Sequence, residues 1–154
     1  MKTTAVLCFL AGLIPISTTH AADIDRAQLP GIWKLEKKNL VAKAAMYTVI
    51  VADGNCGQVA KASLVGTTHW ATDQCAWVLD GDKLTMKVVF SASHPDKVGE
   101  VSTIVITDLD ATTMAYITKD DDAESMTRVG EVPTEFAEKL AQDVAAQLAA
   151  GATK

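Results

Sequence analysis

The sequence predicts a mainly β protein: an eight-stranded antiparallel up-and-down barrel with a C-terminal α-helix packed on its outside. Three observations carry this. Apolar/polar alternations with a period of two recur along the chain, separated by turn signals such as Asp53-Gly54-Asn55 and Asp80-Gly81. Cys56 and Cys75 sit symmetrically about Val65-Gly66, as on two arms of a hairpin. After Pro133 the period changes, and Phe136, Leu140, Val144 and Leu148 form one stripe of an amphipathic helix.

The chain opens like an export signal. Lys2 precedes an apolar run from Ala5 to Ile16, and Thr19-His20-Ala21 offers small residues where a signal peptidase reads. Cleavage is expected after Ala21, with Ala22 as the alternative. The run is too short to span a bilayer. Removing 21 of the 154 residues leaves 133, enough for one domain with its own core. Residues 22–28 are polar and read as a flexible lead-in, 29–130 as the barrel, and 131–154 as helix and tail. The net charge of −5 becomes −6 without Lys2, which argues against nucleic acid as a partner. No membrane insertion is expected, and a protein partner stays open. Cys56 and Cys75 are the only cysteines after the signal, and in an exported chain they read as a disulfide. Localisation is therefore expected to be periplasmic or secreted.

Each element has its own signal. Pro30-Gly31 turns the chain into Ile32–Lys38, with Trp33, Leu35 and Lys37 on one face and Lys34, Glu36 and Lys38 on the other. Residues 39–45 lack β character and read as a loop or one helical turn. Met46–Ala52 is apolar on both faces, so its outer side needs cover. Cys56–Leu64 and Thr67–Leu79 form the disulfide hairpin. Asp82–Ser91 places Leu84, Met86, Val88 and Phe90 on one face. Residues 92–99 are a loop containing His94-Pro95-Asp96. Val101–Asp108, Thr112–Lys119 and Glu124–Gly130 complete the eight strands. The helix starts with Thr134 as N-cap and stops at Gly151. Its stripe is expected against the outer face of Met46–Ala52.

Eight antiparallel strands in a meander close with an interior about wide enough for one small ligand. Alternate loops share an end. One end receives the short turns 53–55, 80–81 and 109–111. The other receives 39–45, 65–66, 92–99 and 120–123, and so reads as a mouth. No Gly-x-Ser-x-Gly, His-Glu-x-x-His or phosphate loop is present. Asp120, Asp122 and Glu124 lack the spacing of an EF-hand loop, and no cofactor or metal is implied. Tyr47 (or Met46), Met86, Phe90, Ile104, Met114 and Tyr116 either line a cavity for an apolar or amphipathic molecule or fill a small barrel.

Gly31-Ile32-Trp33 on the first strand, a β-meander, Arg128 on the last strand and a following helix resemble the lipocalin-like (calycin) group. The resemblance implies that Trp33 plugs the barrel floor and Arg128 packs over it. The floor-and-mouth asymmetry makes the leading reading an exported, lipocalin-like, non-catalytic binding module for a small apolar or amphipathic molecule. Gly31, Trp33 and Leu35 are similar, too, to the opening of periplasmic inhibitors of bacterial metalloproteases, which are small barrels with one disulfide. That resemblance implies that the arm Ala22–Leu29 enters a protease cleft. A third reading makes helix 134–149 a docking element for assembly.

Overall fold

The computed structural model describes residues 24–151, the side chains of the last two excepted. The expected signal peptide 1–21 lies outside the described residues. Eight strands follow in order: β1 Gly31–Lys38, β2 Ala42–Ile50, β3 Asn55–Leu64, β4 Thr67–Asp80, β5 Lys83–Ser91, β6 Val101–Leu109, β7 Thr113–Ile117 and β8 Ala123–Val129. Each pairs antiparallel with the next, and β8 pairs with β1, so the meander closes into a barrel. One helix, α1 Thr134–Gly151, packs on the outside. No helix among the described residues is long and apolar enough to cross a membrane.

Alternation decides what enters the interior. Trp33, Ile50, Cys56, Cys75, Trp77, Leu84, Ile104, Ile106, Met114, Tyr116 and Met126 form one buried cluster inside the barrel. Cys56 and Cys75 are directly cross-strand and joined by a disulfide, with Cα atoms 4.8 Å apart. The tight turns are tied by side chains. Asp53 accepts from the Asn55 N–H, and Asp110 accepts from the N–H groups of Thr112 and Thr113. These bonds favour the carboxylates and hold both acids below the usual aspartate range.

Four expectations about the course of the chain are corrected, and two about single residues, Thr134 and Tyr47, follow. First, residues 39–45 are not a long loop. β2 begins at Ala42, and Asn39 closes a tight turn by accepting from the N–H groups of Val41 and Ala42. Ala42, Ala44 and Ala45 are weak strand formers, but ladders on both sides hold them extended.

Second, the lead-in is packed from residue 24 onward. Asp25 caps a single 3-10 turn over Arg26–Gln28, and Ile24 and Leu29 join the barrel core. Third, Phe90 leaves the face shared by Leu84, Met86 and Val88. Gln74 pairs with Phe90 and Cys75 with Val88, so Val89 is an extra residue and the parity flips beyond it. Phe90 therefore faces outward beside Leu140 and Val144 of the helix.

Fourth, α1 is rotated from its expected seat. Phe136 does bury, making edge contacts with Tyr47 (ring centroids 4.7 Å apart) and Trp70 (5.0 Å). Beyond it the contact line runs through Asp143 and Gln147. The outer face of β4 presents Thr72 and Gln74; the Thr72 hydroxyl donates to Asp143, and the Gln74 amide to Gln147 at 2.9 Å. The polar β4 face selects the polar edge of the helix. Val132, Ala137, Leu140, Ala141, Val144 and Leu148 are left along an open groove of about 440 Å³. The N-terminus of α1 also differs. The Pro133 carbonyl accepts from Phe136 and Ala137, so Thr134 is the first helical residue rather than the cap.

Candidate functional site: the mouth of the barrel

The floor fixes which end is open. Trp33 is fully buried, and its indole N–H donates to the Leu29 carbonyl at 2.8 Å. The Arg128 guanidinium lies 4.1 Å from the Trp33 ring centroid. Arg128 also donates to the carbonyls of Pro30 (2.7 Å) and Gln28. Gly31 is needed here for two reasons. Its φ is +150°, and a Cβ on it would overlap the guanidinium. Trp77 adds a second indole at this end, donating to Val51 O at 2.8 Å under the guanidinium of Arg26.

Above the floor the interior is filled by the buried layer of Leu84, Ile106, Met114 and Met126. Toward the other end the inward positions change character. Leu35, Met46, Gln58, Asp73, Met86 and Val88 are only half-buried. Ala60 and Ala71, a cross-strand pair, give that part of the wall little bulk. We call this partly buried set of inward residues, apolar with a few polar groups above a filled base, the cup.

Two polar sets face each other across this cup. On the β7–β8–β1 side, the Tyr116 hydroxyl donates to Glu124 at 2.8 Å, and the Lys37 ammonium donates to the other Glu124 oxygen. Lys37 favours the charged carboxylate, and Tyr116 adds to this, so Glu124 is held below the ordinary 4.5. Burial, then the bond to Glu124, pushes the Tyr116 phenol well above its usual range. On the β3–β4 side, the Gln58 amide donates to Thr48 at 3.3 Å and lies 4.0 Å from the Met86 sulfur. Asp73 pairs cross-strand with Gln58, and its Oδ1 is buried without a hydrogen-bond partner. An orphaned buried acceptor invites a donor from elsewhere.

The sequence-derived lining residues divide. Met86, Ile104 and Tyr116 face inward, Ile104 and Tyr116 within the filled layer. Tyr47 and Phe90 face outward, Tyr47 beneath Phe136 and Phe90 beyond the bulge. Gln58, Asp73 and Glu124 were missed as inner groups. A signal existed for two of them: pairing Cys56 with Cys75 places Gln58 opposite Asp73, two residues up each arm. Among the described residues no group of three or more His, Cys, Asp or Glu is arranged to hold a metal.

The pair Lys37–Glu124 makes the rim pH-sensitive. A depressed carboxyl contributes stability that is present above its unfolded value and lost as pH falls through its folded value. Melting temperature should therefore drop on acidification below the ordinary glutamate value of 4.5. Glu124→Gln should remove that part of the drop, and the Tyr116 ring resonances should report the same titration.

The architecture is that of a small closed β-barrel with an external helix, consistent with a lipocalin-like fold. No protein-family model matches this chain, and no curated protein matches it in sequence.

Proposed function

We propose that the protein is an exported, non-catalytic binding module that holds a small amphipathic molecule in the cup at the barrel mouth. The observation that carries this is the buried, unpartnered Asp73 Oδ1, which by strand register shares the inner face with half-buried Leu35, Met46, Met86 and Val88. An apolar segment of the ligand packs on the methionines and aliphatics, which adapt to its shape. A head group that donates hydrogen bonds satisfies Asp73 beside Gln58. The filled layer below limits the guest to a short one. A phenol pushed up by burial and an engaged Glu124 suit a fixed wall better than proton transfer.

The periplasmic or secreted location is part of this reading, supported by the disulfide and by the export-like amino terminus. The inhibitor reading fares less well. An arm that enters a protease cleft must be free of its own barrel, whereas Ile24 and Leu29 are built into this one.

The test is a titration with decylamine and with decanoate, followed by tryptophan fluorescence. Decylamine should bind more tightly. Ala60→Trp, which fills the cup, should abolish binding without lowering the melting temperature. Asp73→Asn should reduce the preference for the amine. Equal binding by the Ala60→Trp protein would refute the site, and native mass spectrometry of protein purified from its host would show any carried guest.

A further inference from the structure

The mouth end carries a second feature that the cup does not use. The β1–β2 turn and the β3–β4 turn are neighbours, because Ala42 pairs with Leu64 across β2 and β3. Together they project Leu40, Val41, Leu64 and Val65 into solvent, with Leu40 fully exposed and Val65 at 83%. An open groove of about 420 Å³ runs between the two turns.

Three local choices here oppose stability. Four large aliphatic side chains are left in water. Lys38 and Lys43 are directly cross-strand, and like charges so placed repel. Among the described residues neither lysine has a carboxylate within 4 Å; Glu36 on the same strand attracts both, but its close partner is Lys34 at 2.8 Å. Val65 has φ +44° in front of Gly66 at +82°, a turn conformation that suits Asn and disfavours a β-branched residue. Three such conflicts in one small region mark a place where something other than stability was selected.

We propose that this double tip docks on an anionic lipid surface, with Leu40, Val41, Leu64 and Val65 dipping among the acyl chains and Lys38 and Lys43 meeting lipid phosphates. The composition selects lipid over protein. Protein interfaces concentrate binding in Trp, Tyr and Arg and are depleted in Lys, whereas this patch has no Trp, Tyr or Arg, and its large side chains are Leu, Val and Lys, with the smaller Asn39 and Ser63 beside them. Apolar side chains flanked by lysines suit the boundary between acyl chains and charged head groups. The lysines stand out on a chain whose net charge is −5. An anionic surface also relieves the Lys38–Lys43 repulsion. The contact is peripheral, made by two turns.

The test is co-sedimentation of the full chain with large unilamellar vesicles. One set contains phosphatidylglycerol in phosphatidylcholine, and the other phosphatidylcholine alone. The wild-type protein should bind the anionic vesicles only, and less at high salt. Each lysine removed should weaken binding about fivefold, so Lys38→Glu with Lys43→Glu should lower it by about 25-fold or more. Leu40→Ser should weaken binding severalfold while leaving the melting temperature unchanged.

Val65→Asn gives the sharpest reading. It should raise the melting temperature, by relieving the turn, and weaken vesicle binding at the same time. The proposal is overturned if the wild type ignores anionic vesicles, binds neutral ones equally well, or binds unchanged in the lysine or Val65 variants. A Val65→Asn protein that is both less stable and unable to bind would also overturn it, because the valine would then serve the turn.

Discussion

Trp33→Ala is expected to destabilise the protein by about 3–5 kcal/mol, the range for removing a large buried aromatic side chain. Three groups lose a partner at once. The Leu29 carbonyl loses the indole N–H, the Arg128 guanidinium loses the ring face beneath it, and the barrel end loses its plug. Arg128 would still be bound to the carbonyls of Pro30 and Gln28, so the arm should loosen rather than detach. Chemical denaturation measures the loss, and hydrogen exchange at residues 24–29 should report it locally. Gly31→Ala attacks the same lock from the other side, through its backbone angle and the overlap with Arg128. The ligand binding proposed at the mouth should survive either change under folding conditions. A Trp33→Ala protein with wild-type stability and no binding would mean that the barrel opens at the other end.

Removing the Cys56–Cys75 bridge has the next largest expected effect. Nineteen positions separate the two cysteines. Closing a loop of that size stabilises by about 3 kcal/mol on the chain-entropy estimate. The bridge lies in the buried interior cluster near the floor, where β3 and β4 also pair by backbone hydrogen bonds. Replacing both cysteines with alanine should thus lower the melting temperature substantially while preserving the barrel. Far-UV circular dichroism before and after reduction of the wild type, together with denaturant midpoints, checks this. Loss of strand signal on reduction at room temperature would show that the barrel depends on the bridge for its topology as well as its stability.

Much of the fold was legible because strands advertise themselves by a period of two and turns by a few residue types. The register of β3 with β4 followed from two cysteines alone. What was not legible depended on neighbours distant in sequence. The extra residue at Val89 carries no glycine or proline to mark it. Phe90 therefore looked like a continuation of Leu84, Met86 and Val88. The orientation of α1 was hidden for a similar reason: its own stripe says where its apolar side lies. The rotation that leaves part of that side open beyond Phe136 came from Thr72 and Gln74 on β4. Ile24 and Leu29 were in plain view, two apolar residues flanking a polar run, yet a cover for the floor makes sense only once Trp33 is known to need one. At the mouth, Met86 was found by alternation. Asp73 and Gln58 were passed over because polar strand residues are ordinarily outward, although the cysteine pairing already set them opposite one another on the cysteines' own face.

The strands are of unequal height. β4 has 14 residues and β3 has 10, whereas β7 has five and β8 seven. Residues 67–72 of β4 extend past the last β5 pairing at Asp73–Ser91. The rim is therefore a tall back and a low front, more like a scoop than a cylinder. In the proposed binding role, a guest would approach over the low β7–β8 side and slide sideways against the tall β3–β4 wall, so it need not thread a ring from above. Exchange on such a route is governed by the reach of a few rim side chains. Uptake and release should consequently be fast, with selectivity expressed in how long a guest stays rather than in whether it can enter.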